Sequence, residues 1–249
     1  MLDERKKILV VSDNPELTRF FQEYVHQKKY NEIAVFQYRF SIINKNPRPM
    51  EVLGATPLDV KDRKFFGIAK EEYSLIISIH CKQIFPEALV KSVRCVNFHP
   101  GLNPFNRGWY PQVFSIINKK PIGATLHMMD AEVDHGAIID QKVVALKKSD
   151  TSLDLYTRVL SAEKKLIERN LKNLVYGVFT SSEMEMEGNY NSKEDFEDLC
   201  NLDLNKTGTL EDHIDILRAL THGDFKNAYF FDEEGNKHYV RLIIEPDCK

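Results

Sequence analysis

The continuous apolar run ILVVS at residues 8–12, with a second central strand YSLIISI at 73–79, constrains this 249-residue chain more than anything else in it. A strand that alternates apolar and polar residues needs cover on one face, whereas a strand that is apolar throughout needs cover on both. The first run passes straight into Asp13-Asn14-Pro15-Glu16, where Asn14 suits a helix N-cap and Pro15 the first helical position. Leu17, Phe20, Phe21 and Tyr24 or Val25 then recur at helical spacing. Strand, cap and helix in that order predict an α/β, Rossmann-like, mostly parallel sheet flanked by helices. No GxGxxG follows the strand, so a dinucleotide is not supported.

The rest of the chain extends this pattern. Strands are expected at residues 32–36, 56–60, 124–129 and 138–146, a proline-rich loop at 44–49 and a helix at 112–118. Leu153, Tyr156, Leu160, Ile167, Leu171 and Leu174 form the apolar stripe of a helix over 152–175. A linker at 177–190 divides a core, residues 1–180, from a small C-terminal α+β module, residues 181–249. That module reads as a helix at 210–220 and a hairpin whose turn contains Gly235 between strands at 227–231 and 237–244.

Charge separates the two parts. Residues 180–249 hold 7 Lys/Arg against 17 Asp/Glu, a balance of −10, while residues 1–179 carry +7. A basic core suits a small anionic ligand, and an acidic tail argues against a nucleic-acid partner. No apolar run approaches the ~20 residues of a membrane helix. MLDERKKILVV offers no small-residue cleavage site, so a cytoplasmic chain without a signal peptide is expected. Cys81, Cys95, Cys200 and Cys248 are scattered without CxxC spacing, which predicts reduced thiols and no metal site.

Chemistry concentrates in residues 94–140. A strand ends in Asn97-Phe98-His99, and alternation places Asn97 and His99 on one side of it. A polar loop follows, HPGLNPFNRGWYPQ, with the only Trp of the chain, and the strand at 124–129 then leads to Asp130-Ala131-Glu132-Val133-Asp134. The expectation is that both strand ends return to one edge of the sheet, where open α/β folds build their sites. An amide, an imidazole and a carboxylate converging there suit acyl transfer to an amine. Asn97 can donate to a developing oxyanion, and Asp134 can orient an imidazole. His99 can serve either as the base or as an electrostatic aid. His127 and His135 are read as structural.

The Asn-x-His pair, the GLNPFNRGWYPQ loop and an Asp 35 residues after the His resemble the formyltransferases that use N10-formyltetrahydrofolate. The loop is most similar to the sugar-nucleotide N-formyltransferases that act on dTDP-4-amino-4,6-dideoxyglucose. The resemblance is strongest over residues 73–141 and returns in the tail at LRALTHGDFKNAYFFDEEGNKHYVRL. It implies Asn97, His99 and Asp134 as catalytic residues. His80, Cys81, Lys82 and Ile84, with Asp130, Ala131, Glu132 and Val133, are implied to hold the folate. Asn14, Pro100, Gly101, Asn103, Phe105, Asn106, Arg107, Trp109 and Tyr110 are implied for the nucleotide sugar, with Arg107 either pairing a pyrophosphate or bonding loop carbonyls. It also implies a homodimer, and a place in the synthesis of bacterial surface polysaccharide such as O-antigen lipopolysaccharide. Other amine acceptors remain alternatives, namely a dTDP-3-amino sugar, a UDP-amino sugar or glycinamide ribonucleotide, while the acidic tail argues against initiator methionyl-tRNA. Hydrolysis of the folate also remains an alternative, as does, in another class, a non-catalytic folate- or nucleotide-binding module.

Overall fold

At the centre of the sheet lies β1 (Lys6–Ser12), in which Ile8, Leu9, Val10 and Val11 are at most 1% exposed. The structure is a computed structural model that describes residues 5–245 and 247, so Cys248 lies outside the described residues. Asn14 caps α1 (Pro15–Gln27): its Oδ1 accepts from Leu17 N at 3.0 Å, with Pro15 opening the helix. The chain continues through β2 (Ala34–Ser41), α2 (Arg48–Val52), β3 (Thr56–Leu58), α3 (Arg63–Glu72), β4 (Leu75–Ile79) and α4 (Glu87–Ser92). Next come β5 (Cys95–His99), β6 (Arg107–Gly108), α5 (Pro111–Asn118), β7 (Ile122–Met128), β8 (Ile138–Val144) and α6 (Ser152–Tyr176). The tail holds β9 (Tyr190–Asn191), α7 (Lys193–Cys200), α8 (Leu210–Leu220) and the hairpin β10 (Tyr229–Phe231) with β11 (Lys237–Tyr239).

Seven strands form one sheet in the order β3-β2-β1-β4-β5-β7-β8. β1 to β5 run parallel to one another, and β7 and β8 are each antiparallel to the strand before them in the sheet. The fold is thus the mostly parallel, Rossmann-like sheet that the apolar runs predict. Alternate residues of each run go to opposite cores. Ile8, Val10, Ile77, Ile79, Val96 and Phe98 pack with α1 and α6, while Leu9, Val11, Ile76 and Cys95 pack with α3 and α4. Full burial on both faces is the reason those runs contain no polar face.

Several sequence expectations shift. The strand expected at residues 32–36 lies at Ala34–Ser41, because Tyr30–Glu32 forms a single 3-10 turn first. The loop expected at 44–49 runs into α2 at Arg48. α3, α4 and α7 were not foreseen; α4 and α7 span only 6 and 8 residues, too short to show a helical stripe. The return of two strand ends to one edge does not occur. β7 is antiparallel to β5, with Val96 opposite Met128 and His99 opposite Thr125, so the two strands end at opposite edges. The 129–137 loop doubles back over the sheet instead, and at Gly136 a Cβ would stand 2.1 Å from the Met128 carbonyl oxygen.

The tail shares a core with the sheet domain. Leu220, Ala219, Ile216 and Cys200 pack with Ile116 of α5 and with Leu155 and Val159 of α6. β9 also pairs with β6, and Ser182 bridges to Ile138. Leu220→Ala is therefore expected to destabilise the whole chain by about 2–5 kcal/mol. In denaturant, Trp109 fluorescence and far-ultraviolet circular dichroism should shift together; a separate early transition of the tail alone would contradict the shared core.

Candidate active site

The chain turns from β3 back across the sheet to place β4 beside β1, so the helices connected to these two strands leave on opposite faces. Open α/β sheets bind ligands at the carboxyl end of such a switch point. Here that end opens into a cavity of about 690 Å³. Its walls come from the β1 end (Asn14), the loop after β4 (His80 to Phe85), β5, the 129–134 loop, the start of α5 and α6, and the tail.

Asp134 is the hub of the polar cluster. Its Oδ1 accepts from Asn97 Nδ2 at 3.0 Å and its Oδ2 from Gly108 N at 3.2 Å, while His99 Nδ1 stands 3.3 Å from Oδ2. The Asp134 carbonyl accepts from Asn103 Nδ2 at 2.7 Å, which holds the doubled-back loop with Asp134 at φ 52. Burial alone would raise this carboxyl, but His99, His127 and the Gly108 N–H outweigh it and hold the pKa at about 2. His99, whose side chain is 4% exposed, goes the other way. Burial pushes its pKa down to about 4 against the pull of Asp134, so the imidazole is neutral near pH 7.

The hydrogen-bond geometry then assigns the tautomer, with Nδ1–H facing Asp134. His99 Nε2 is buried with no hydrogen-bond partner among the described residues. It lies so close under the main chain that a Cβ on Gly101 would stand 2.3 Å away, which requires glycine there.

Most of the expected site residues line this cavity: Asn97, His99 and Asp134; His80, Cys81, Lys82 and Ile84; Asp130 to Val133; and Asn14, Pro100, Trp109 and Tyr110. Gly101, Asn103, Phe105, Asn106 and Arg107 do not. Asn103 and Asn106 are 3% and 0% exposed and serve as loop scaffolding. Asn106 donates to Ser115 Oγ at 2.9 Å and accepts from both Asn118 and Asn189 at 2.7 Å. Phe105 closes a turn through its N–H to the Leu102 carbonyl. Arg107 does not line the cavity, and its buried Nε and Nη1 have no hydrogen-bond partner among the described residues. β6 pairs with β9 of the tail, and the buried guanidinium donates to Glu187 at 2.9 Å. These short polar residues resemble ligand contacts in a sequence because the same groups that bind ligands also satisfy a buried loop.

Some cavity residues were missed. His127 was read as structural, yet its Nε2 lies 3.3 Å from Asn97 Nδ2 and 3.5 Å from Asp134 Oδ1. Its partner across the ladder is Asn97, a relation legible only once β7 is known to run antiparallel. Tyr156 was placed only on a helix stripe. Phe196, His222, Phe225 and Asn227 come from the tail, and nothing local in the sequence marks them.

An imidazole kept neutral by burial, an ionised aspartate behind it and an asparagine amide beside it, on this sheet, define the class. The chain belongs to the formyl transferase family, whose model matches residues 6–171. Residues 195–246 match the N-formyltransferase dimerization C-terminal domain. The dTDP-4-amino-4,6-dideoxyglucose formyltransferase of Mycobacterium tuberculosis (strain ATCC 25618 / H37Rv) is 41% identical over 96% of this chain and 97% of its own. A sugar N-formyltransferase from Shewanella sp FDAARGOS_354 superposes with a TM-score of 0.94 at 50% identity, covering 97% of this chain and 98% of that one. A 4-N formyltransferase from Francisella tularensis superposes with a TM-score of 0.90 at 42% identity, with the same coverage.

The two environments of histidine make a direct comparison. His135 donates to Asp130 at 2.9 Å, and that bond lifts its pKa above the ordinary value, while burial lowers that of His99. In a side-chain NMR titration of the free protein, His135 is expected to protonate above about pH 6.5 and His99 to stay neutral down to about pH 5. Titration of His99 near pH 7 would contradict the assigned state.

Proposed function

We propose that the protein transfers the formyl group of N10-formyltetrahydrofolate to the amine of a nucleotide-linked amino sugar, with dTDP-4-amino-4,6-dideoxyglucose as the acceptor. The observation that carries this reading is the neutral His99, oriented by ionised Asp134 and left with an unpartnered Nε2 beside Asn97. The named activities of the full-length relatives support the same donor group and acceptor class.

The cavity residues fit a folate at one end. Cys81, Phe85 and Met129 belong to the apolar side over α3 and α4, and Ile84, although apolar, is 54% exposed at the cavity. Such a surface suits the flat pterin and benzoyl rings, with residues 130–133 facing the pterin edge and Lys82 near the glutamate tail. Trp109, Tyr110, Phe196 and Phe225 supply the flat surfaces for the acceptor.

In this reading the neutral amine attacks the formyl carbon, forming a C–N bond and an oxyanion. Asn97 donates to that oxyanion by turning from His127 the amide hydrogen that rests on its Nε2 at 3.3 Å, while its other hydrogen stays on Asp134 at 3.0 Å. His99 Nε2 takes the proton from the attacking nitrogen, Asp134 stabilises the imidazolium, and the proton is returned to N10 as the C–N10 bond breaks. A base that is neutral at rest and gains a charge only during reaction favours the general-base role of His99.

The tail extends the reading to a homodimer. Its family model is that of a dimerization domain, and Phe231, Tyr239 and Ile243 are 50%, 47% and 80% exposed. Free thiols at Cys81, Cys95 and Cys200 fit a reducing, cytoplasmic setting.

The test is formyl transfer from N10-formyltetrahydrofolate to a panel of dTDP- and UDP-amino sugars. Product is expected with the dTDP-4-amino sugar, and His99→Asn and Asp134→Asn should each lower kcat/KM by roughly 100-fold or more. Folate hydrolysis without product on any sugar would overturn the acceptor.

A further inference from the structure

A second buried histidine–carboxylate pair stands at the cavity wall, separate from His99 and Asp134. Glu163 of α6 has a fully buried side chain, and both its oxygens lie 2.9 Å from His80 Nε2. His80 follows β4 with φ 53, a left-handed conformation that a histidine adopts only when its surroundings hold it there. Burying a carboxylate in mid-helix is unfavourable unless its partner is well fixed. The hydrogen-bond geometry shows what the pair fixes.

The orientation of Asn14 is not free. Its Oδ1 is committed to Leu17 N at 3.0 Å, so both hydrogens of its Nδ2 point elsewhere. One goes to the Tyr156 hydroxyl oxygen at 3.2 Å and the other toward His80 Nδ1 at 3.4 Å. His80 Nδ1 therefore accepts, and His80 Nε2–H donates to Glu163. Tyr156 also accepts, so its own O–H remains to donate, and it has no acceptor among the described residues. The ring is held between His80, with centroids 6.2 Å apart, and His222 at 5.4 Å. Burial raises the phenol well above its ordinary range, so the hydroxyl keeps its hydrogen.

We propose that Tyr156 is a specificity residue for the acceptor, its O–H donating to an oxygen of the nucleotide sugar, either a sugar hydroxyl or a phosphate oxygen. The inference rests on the acceptor reading above. It assigns Tyr156 to the acceptor because the ring packs on the α1 and α6 side, near Ser152, His222 and Phe225, whereas Cys81, Phe85 and Met129 of the folate end pack on the α3 and α4 side. The chain Glu163–His80–Asn14–Tyr156 sets the polarity: every group in it is already used except the tyrosine hydrogen.

Tyr156→Phe is to be compared with the native enzyme in steady-state kinetics, with calorimetric binding of dTDP, of dTDP-4-amino-4,6-dideoxyglucose and of 5-formyltetrahydrofolate. The expected result is an acceptor KM raised by about 5- to 10-fold, as for one lost hydrogen bond, with kcat, folate affinity and melting temperature little changed. Weaker binding of dTDP as well as of the sugar nucleotide assigns the contact to phosphate; weaker binding of the sugar nucleotide alone assigns it to a sugar hydroxyl. Asn14→Asp keeps the helix cap but turns the Tyr156 hydrogen onto the new carboxylate, and it should raise the acceptor KM in the same way. An unchanged acceptor KM in Tyr156→Phe, or an equal loss of folate binding and thermal stability, overturns the proposal. A native enzyme that binds neither dTDP nor the amino sugar overturns the acceptor reading, and this inference with it.

Discussion

The buried carboxylate of Asp134 is the interaction on which the site depends. A carboxylate with 12% side-chain exposure is unfavourable unless hydrogen-bond donors surround it, and here they come from two separate strands: Asn97 and His99 of β5, and the Gly108 amide of β6. Satisfying one ion therefore ties together β5, β6 and the loop after β7. The same arrangement separates the ionisation of the pair. Asp134 is held charged by its donors, and His99 is held neutral by burial.

Glycines make this geometry sterically possible. Gly101 lets the main chain pass over His99 Nε2, and Gly136 lets the 129–137 loop fold back past the Met128 carbonyl to present Asp134 at mid-strand. Without the second of these, the antiparallel β7 would carry its loop to the wrong edge of the sheet. The polar loop residues that surround them, Asn103 and Asn106, hold the path through buried hydrogen bonds and do not reach the cavity.

The acidic tail completes the cavity as well as packing on the core. Phe196, His222, Phe225 and Asn227 line it, and β9 zips onto β6 beside Gly108, whose amide holds Asp134. A change in the tail is thus one strand-pair removed from the Asp134 carboxylate. The negative balance of the tail lies mostly on exposed helices and turns, where it leaves the aromatic wall of the cavity uncharged.

What the sequence alone determined was whatever depends on near neighbours. The apolar runs required cover on both faces, the Asn14-Pro15 cap placed α1, the Leu153-to-Leu174 stripe placed α6, and two-residue alternation put Asn97 and His99 on one side. The motif around them was specific enough to mark Asp134. Tertiary structure decided what depends on contacts distant in sequence: that β7 is antiparallel and brings His127 opposite Asn97, that Arg107 pairs with Glu187, and that Glu163 buries itself on His80. It also decided that the tail lines the cavity. Strand direction and the partner of a buried charge are set by the packing of the whole chain, and no local pattern of residues encodes either.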